Sequence, residues 1–209
     1  MELNQIISFL IAAMLFTISP GPDTIYVITE SLTKGIKSGI SCAYGFVSGI
    51  VFHTLIVATG VALVLQKSEY AFTIIKYCGS AYILYMAYGA IKEKPLSLGL
   101  DAVQVKSRKT YFQNFRKCFL MNVLNPKVSI FFIAFLPQFV QADGYLATVQ
   151  MLILGGVFMA QASIIMPSIA IISGSFANAL NRPKFWSIVK WFKVAVLLFI
   201  SITLLFSHV

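Results

Sequence analysis

Two ionisable residues stand directly after prolines inside otherwise apolar runs: Asp23 after Pro22, and Lys127 after Pro126. A charge at the centre of a bilayer costs about 2.5–3.5 kcal/mol on insertion scales, so such residues pair, titrate or face a wet cavity. The prolines are costly too. Each removes a backbone donor and clashes with the preceding turn, at about 3 kcal/mol or more in a helix interior. Backbone groups freed by Pro20-Gly21-Pro22 and by Asn125-Pro126 are tolerated in hydrocarbon only where protein buries them or a water-filled cavity reaches them. The chemistry that fits is a substrate site. Asp23 would hold an ammonium group or carry a proton, its affinity for that proton set by burial and by neighbouring charge. The half-helix after Pro22 turns its amide dipole to the break, a setting suited to a carboxylate. The plainer reading is a static buried ion pair, Asp23 with Lys127, that fixes helix register.

The remaining polar residues in apolar runs carry weaker signals. His53 has no second histidine near it and reads as a hydrogen-bonded packing residue before a proton relay. Glu30 lies near a helix end, where it is expected to reach water. Lys76, Lys190 and Lys193 are also close to helix ends and can snorkel. Gln138 and Gln161 are expected to make interhelical hydrogen bonds. Gly45 and Gly49, four residues apart, form a close-packing face. Cys42, Cys78 and Cys118 are scattered, without a C-x-x-C pair, and read as helix-packing residues rather than a disulfide framework or a zinc site. There is no His-Glu-x-x-His, Walker loop or paired intramembrane carboxylate. No catalytic residue, metal site or cofactor is expected, and the chain does not read as an enzyme.

These residues need a membrane scaffold to position them. Of 209 residues, 58% are hydrophobic and 11% charged, and the mean hydropathy is +0.85. Soluble domains have roughly a quarter charged residues, so a water-facing surface cannot be built from this composition. That excludes a soluble enzyme and a disordered chain. The net charge of +9 does not signal nucleic acid, because most Lys and Arg lie between apolar stretches, where membrane topology places them. Residues 3–22, 39–65 and 144–181 carry no charge. Residues 71–91 carry only Lys76, 118–142 only Lys127, and 185–207 only Lys190 and Lys193. A span needs about 20 apolar residues, so six helices are expected, with Pro167 kinking one long fifth helix. Met1-Glu2-Leu3-Asn4 lacks the basic start of a secretory signal, so the first segment is expected to remain as a helix.

Loops one, three and five share one side of a six-span protein. They contain Lys34 and Lys37; Lys92, Lys94, Lys106, Arg108, Lys109, Arg116 and Lys117; and Arg182 and Lys184, against Lys67 alone on the other side. Eleven basic residues against one put those loops in the cytoplasm and both termini in the periplasm.

The two halves carry an ordered internal match. Pro22-Asp23 corresponds to Pro126-Lys127, Gly49–His53 to Gly155–Met159, and Ile74–Lys76 to Ile188–Lys190. Halves of three spans each must be inverted, and interruptions at corresponding positions mark the binding site of inverted-repeat transporters. The expected fold is all-α and polytopic, a single membrane domain over residues 1–209. Repeat one covers about 1–92, a basic loop about 92–117, and repeat two about 118–209, with helices one and four broken.

Several of these motifs resemble the lysine-exporter/RhtB (LysE/RhtB) family of amino-acid exporters. They are Ser19–Asp23, Lys34–Gly39, Gly45–Gly49, Lys76–Tyr85 and, most specifically, Asn125–Phe139. The likeness is clear over residues 6–140 and looser beyond. Cys118 and Lys193 stand where the family often has glycine. The resemblance implies a small protein of the bacterial inner membrane that exports an amino acid or close derivative, with efflux coupled to protons. Its partners would be the amino acid, protons and the bilayer, not nucleic acid, with homo-oligomerisation left open. The expected substrate and proton site is Asp23, Asn125 and Lys127, with His53 as fallback. Pro20, Gly21, Pro22 and Pro126 would shape the breaks. The competing readings are an exporter of an inorganic cation and a membrane scaffold that transports nothing.

Overall fold

A computed structural model describes residues 1–62, 69–93, 111–141, 145–175 and 183–206, and every element among them is helical. The order is α1 (Leu3–Ile18), α2 (Pro22–Lys34), α3 (Ile36–Ile56), α4 (Glu69–Lys92), α5 (Tyr111–Val123), α6 (Pro126–Ile130), α7 (Ala147–Ser175) and α8 (Pro183–Phe206). A π-helical turn, Val57–Val61, extends α3. A π-helical turn at Phe131–Phe135 and a 3-10 turn at Leu136–Phe139 extend α6.

The two breaks form where proline chemistry requires. α1 stops before Pro20, Gly21 is fully extended, and Pro22 opens α2, where a missing N–H costs nothing. The second break repeats the device. Asn125 is extended, and its side-chain oxygen accepts from the Lys127 backbone N–H at 3.0 Å, capping a helix that Pro126 opens. The bend is 53° between α1 and α2, and 49° between α5 and the α6 segment. Gly35, with φ +92°, turns α2 into α3 in a conformation that only glycine adopts without strain.

Three helices are long and apolar enough to cross a membrane: Ile36–Val61, Ala147–Gly174 and Phe185–Phe206. The two bent pairs raise the count to five if each is one span. α4 is 24 residues long but is not among these candidates, so the expected sixth span is not established. α7 runs unbroken through Pro167 as one helix. Large apolar side chains such as Ile164, Ile188 and Phe206 are exposed on the outer faces, as lipid contact demands.

α3 lies at the centre, against α2, α5 and α7, while α4 pairs with α8. Glycines set the closest approaches: Gly45 meets the Phe115 carbonyl and Cys118, Gly49 meets Asn122, and Gly155 meets Thr54. The contact at Gly45 brings Cys42 and Cys118 to a Cα separation of 5.4 Å, and the two form a disulfide. This corrects the reading of all three cysteines as packing residues. Spacing along the chain could not reveal the pair because the helix approach, not the sequence interval, juxtaposes them. Cys78 is free and exposed. Phenylalanines bind the helices around the breaks. Phe16 stacks on Phe131 at 4.1 Å between centroids, Phe131 lies 5.5 Å from Phe158, and Phe9 packs edge-on to Phe139 at 5.3 Å.

Candidate functional site

The two breaks reach into one another. Where α1 ends, its last carbonyls have no partner in their own helix. The Lys127 ammonium, from the second break, donates to two carbonyls there, Ser19 O at 3.0 Å and Phe16 O at 3.3 Å, and lies 4.3 Å from the Phe16 ring centroid. Lys127 is 7% exposed, so this set of acceptors replaces the water an ammonium would otherwise hold. Gly21 makes room for it: a Cβ there would lie 3.1 Å from Nζ and 3.2 Å from Cδ. In the other direction, the Asp23 carboxylate crosses to the second break. Its Oδ1 accepts from Asn125 Nδ2 at 2.6 Å and its Oδ2 from Asn122 Nδ2 at 2.7 Å. Asn125 is therefore bridging, since its amide donates to Asp23 while its oxygen caps α6.

Between the breaks is a cavity of about 50 Å³, lined by Asp23, Asn122, Asn125 and Lys127 together with apolar residues of α3 and α7. The plainer reading, a static ion pair of Asp23 with Lys127, does not hold. The two share the cavity, but no salt bridge joins them. Each charge is instead held by neutral groups of the opposite break, because side chains from the two breaks pass each other rather than converge. The start of α2 already has a carboxylate in its first turn, that of Asp23, so an anionic guest is left to Lys127. Of the break-forming residues, Gly21 lines the cavity and Pro22 is exposed.

His53 is buried but does not line the cavity. Its Nε2 is 3.0 Å from the Asn122 carbonyl at the end of α5, and its ring packs near Phe132. It thus supports Asn122, a residue that sequence reasoning missed. The signal was present in the two amides that flank the break, Asn122 in the last turn of α5 and Asn125 at the cap of α6; Asn122 packs against Gly49. Gln161 makes the expected interhelical bond, to Thr17 Oγ1 at 2.8 Å, while Gln138 bonds the Ala134 carbonyl of its own segment.

One expectation at a helix end is corrected. Glu30 does not reach water: it is 4% exposed and accepts from Lys34, Ser38 and Asn114 at 2.8–3.0 Å. The Gly35 turn folds α3 back over it, and α5 closes the other side. Lys193 extends from its buried stem to the exposed Glu93 carboxylate just beyond the end of α4, at 2.7 Å, and Lys190 donates to the Glu93 carbonyl at 2.8 Å.

Apolar outer faces, interrupted helices and a charged cavity between the breaks fit a membrane translocator. The profile of LysE-type translocators matches residues 14–208, and the chain belongs to that family. It is 31% identical over 149 residues to the uncharacterized membrane protein YrhP of Bacillus subtilis, covering 68% of this chain and 70% of that protein. An uncharacterized membrane protein of Vibrio cholerae is 27% identical over 140 residues, 67% of each chain. The uncharacterized membrane protein PA4757 of Pseudomonas aeruginosa is 31% identical over 144 residues, 66% of this chain and 64% of its own length. No solved structure matches the chain.

Proposed function

We propose that the protein exports an amino acid or close derivative across the bacterial inner membrane in exchange for protons. The observation that carries this reading is the cavity between the breaks, with a carboxylate and an ammonium on its walls. A zwitterion offers the complement of both: its ammonium faces Asp23 and its carboxylate faces Lys127. Asp23 is the proton carrier, because a carboxyl in that position can alternate between holding a proton and holding a substrate ammonium. Asn122 and Asn125 keep its oxygens in place in either state. His53 acts through Asn122, as the second choice for a proton path. The buried Lys127 ammonium opposes the rival cargo, an inorganic cation, and a scaffold without transport would not call for two charged helix breaks.

The protein in this reading has six spans as two inverted repeats, about 1–92 and 118–209, joined by the basic cytoplasmic segment, with both termini periplasmic. α4 supplies the sixth span. Supporting the repeat, α3 packs on α7 and α4 on α8, the pairings a two-fold axis would produce between corresponding helices. The test uses proteoliposomes with an imposed pH step. Asp23→Asn should stop gradient-driven uphill movement of labelled amino acid while amino-acid exchange continues. Undiminished gradient-driven transport by that variant would remove Asp23 from the mechanism. Loss on His53→Gln alone would then move the proton path to α3.

A further inference from the structure

Resting on the amino-acid reading above, we propose that the cavity selects a neutral amino acid with an apolar side chain, from alanine to leucine in size, against basic and acidic ones. The walls divide by chemistry and by element. Asp23, Asn122, Asn125 and Lys127 come from the two breaks. Opposite them, Phe46, Val47 and Ile50 of α3 and Phe158, Ala162 and Met166 of α7 present hydrocarbon. The polar end is equipped for a head group; Thr17, whose hydroxyl accepts from Gln161, and Thr24 also line the cavity and carry no charge. Each Asp23 oxygen has one lone pair engaged by an asparagine amide, which leaves the others for an ammonium. The Lys127 ammonium has three N–H groups. Two go to Phe16 O and Ser19 O, and the third is left for a carboxylate.

The α-ammonium and α-carboxylate use up both charges on the cavity wall. A lysine or arginine side chain would therefore lie against α3 and α7 with no carboxylate to meet it. A glutamate side chain would lie there with no cation. Burying an unpaired charge is strongly disfavoured, so the apolar wall acts as a filter. Size follows from the volume. A water needs about 10–15 Å³ on this measure, so about 50 Å³ holds about four water-sized groups; alanine fits with small shifts of the walls, and leucine only with larger ones. Ala162 is the smallest side chain on the apolar wall, and its size sets the upper limit on the guest.

The experiment is counterflow into proteoliposomes containing the full-length protein, with labelled alanine, leucine, lysine and glutamate each tried in turn. Alanine and leucine should exchange, and unlabelled lysine and glutamate should compete at least tenfold more weakly than unlabelled leucine. Ala162→Leu should shift the leucine-to-alanine rate ratio at least tenfold toward alanine. Met166→Glu, which adds a carboxylate to the apolar wall, should let lysine compete. Lysine or glutamate exchanging as well as leucine in the unaltered protein would overturn the selectivity and leave the amino-acid reading standing. No counterflow of any of the four would count against that reading itself. An Ala162→Leu protein that still exchanges alanine, with the ratio unchanged, would overturn the assignment of the side-chain wall. Should that variant exchange nothing, the competitor ranking of the unaltered protein decides.

Discussion

The bond between Asp23 and Asn125 is the most direct test of how the two breaks are joined. Removing the carboxylate (Asp23→Ala), the amide (Asn125→Ala), or both, gives a double-mutant cycle. The bond is 2.6 Å long with a carboxylate acceptor, and hydrogen bonds to charged groups contribute about 1.5–3 kcal/mol. Asn125→Ala has a second cost, the lost cap on the Lys127 N–H at 3.0 Å, worth about 1 kcal/mol. That cost is present in the single and double variants alike and cancels from the coupling term. Asp23→Ala likewise orphans Asn122 Nδ2 whether or not Asn125 is present. What survives is the pair itself, so the coupling should be about 1.5–3 kcal/mol. Reversible unfolding of the purified protein in mixed detergent–SDS micelles measures it. A coupling below about 0.5 kcal/mol would mean that the carboxylate is not held by the second break, and the reciprocal arrangement of the site would fall with it.

Other consequences can be checked separately. Gly21→Ala puts a methyl 3.1 Å from the Lys127 ammonium; the flexible lysine tip can move, so stability should change by less than about 1 kcal/mol, while transport should fall at least tenfold. Gly45→Ala places a methyl against the Phe115 carbonyl and Cys118, where backbone cannot yield, and should cost about 2 kcal/mol or more, within the range of overpacked cores. Gly156→Ala, with open space at its Cβ, is the neutral comparison in the same unfolding assay. Denatured without reductant, the protein should show one maleimide-reactive thiol, Cys78; reduction should expose Cys42 and Cys118 as well, and three thiols before reduction would refute the pairing. An impermeant label should reach a single cysteine at the C-terminus of intact cells but not one in the basic segment 92–117, and the opposite pattern would invert the proposed topology.

The breaks were legible in the amino-acid chain because they are local. Proline lacks an N–H and clashes with the preceding turn wherever it occurs, so the ends of α1 and α5 follow from Pro20, Pro22 and Pro126 alone. The same locality holds for the Asn125 cap and for the charge-free runs. The importance of Asp23 and Lys127 was also legible, since an ionisable residue in an apolar run is costly in any fold.

Their partners were not legible. Opposite charges at matched positions suggested an ion pair, yet Lys127 holds carbonyls of α1 and Asp23 holds two amides beside the other break. Glu30 looked exposed from its place near a helix end, and it is enclosed by α3 and α5. Cys42 and Cys118 looked unrelated and are joined. A helix in lipid is apolar on every face, so its sequence has no polar stripe to mark which side meets protein and which meets lipid. The approach of helices is set by shape, here by Gly45 and Gly49 against α5 and Gly155 against Thr54. Local chemistry along the chain thus determined where the helices stop and which residues must matter, and only the tertiary packing decided what those residues touch.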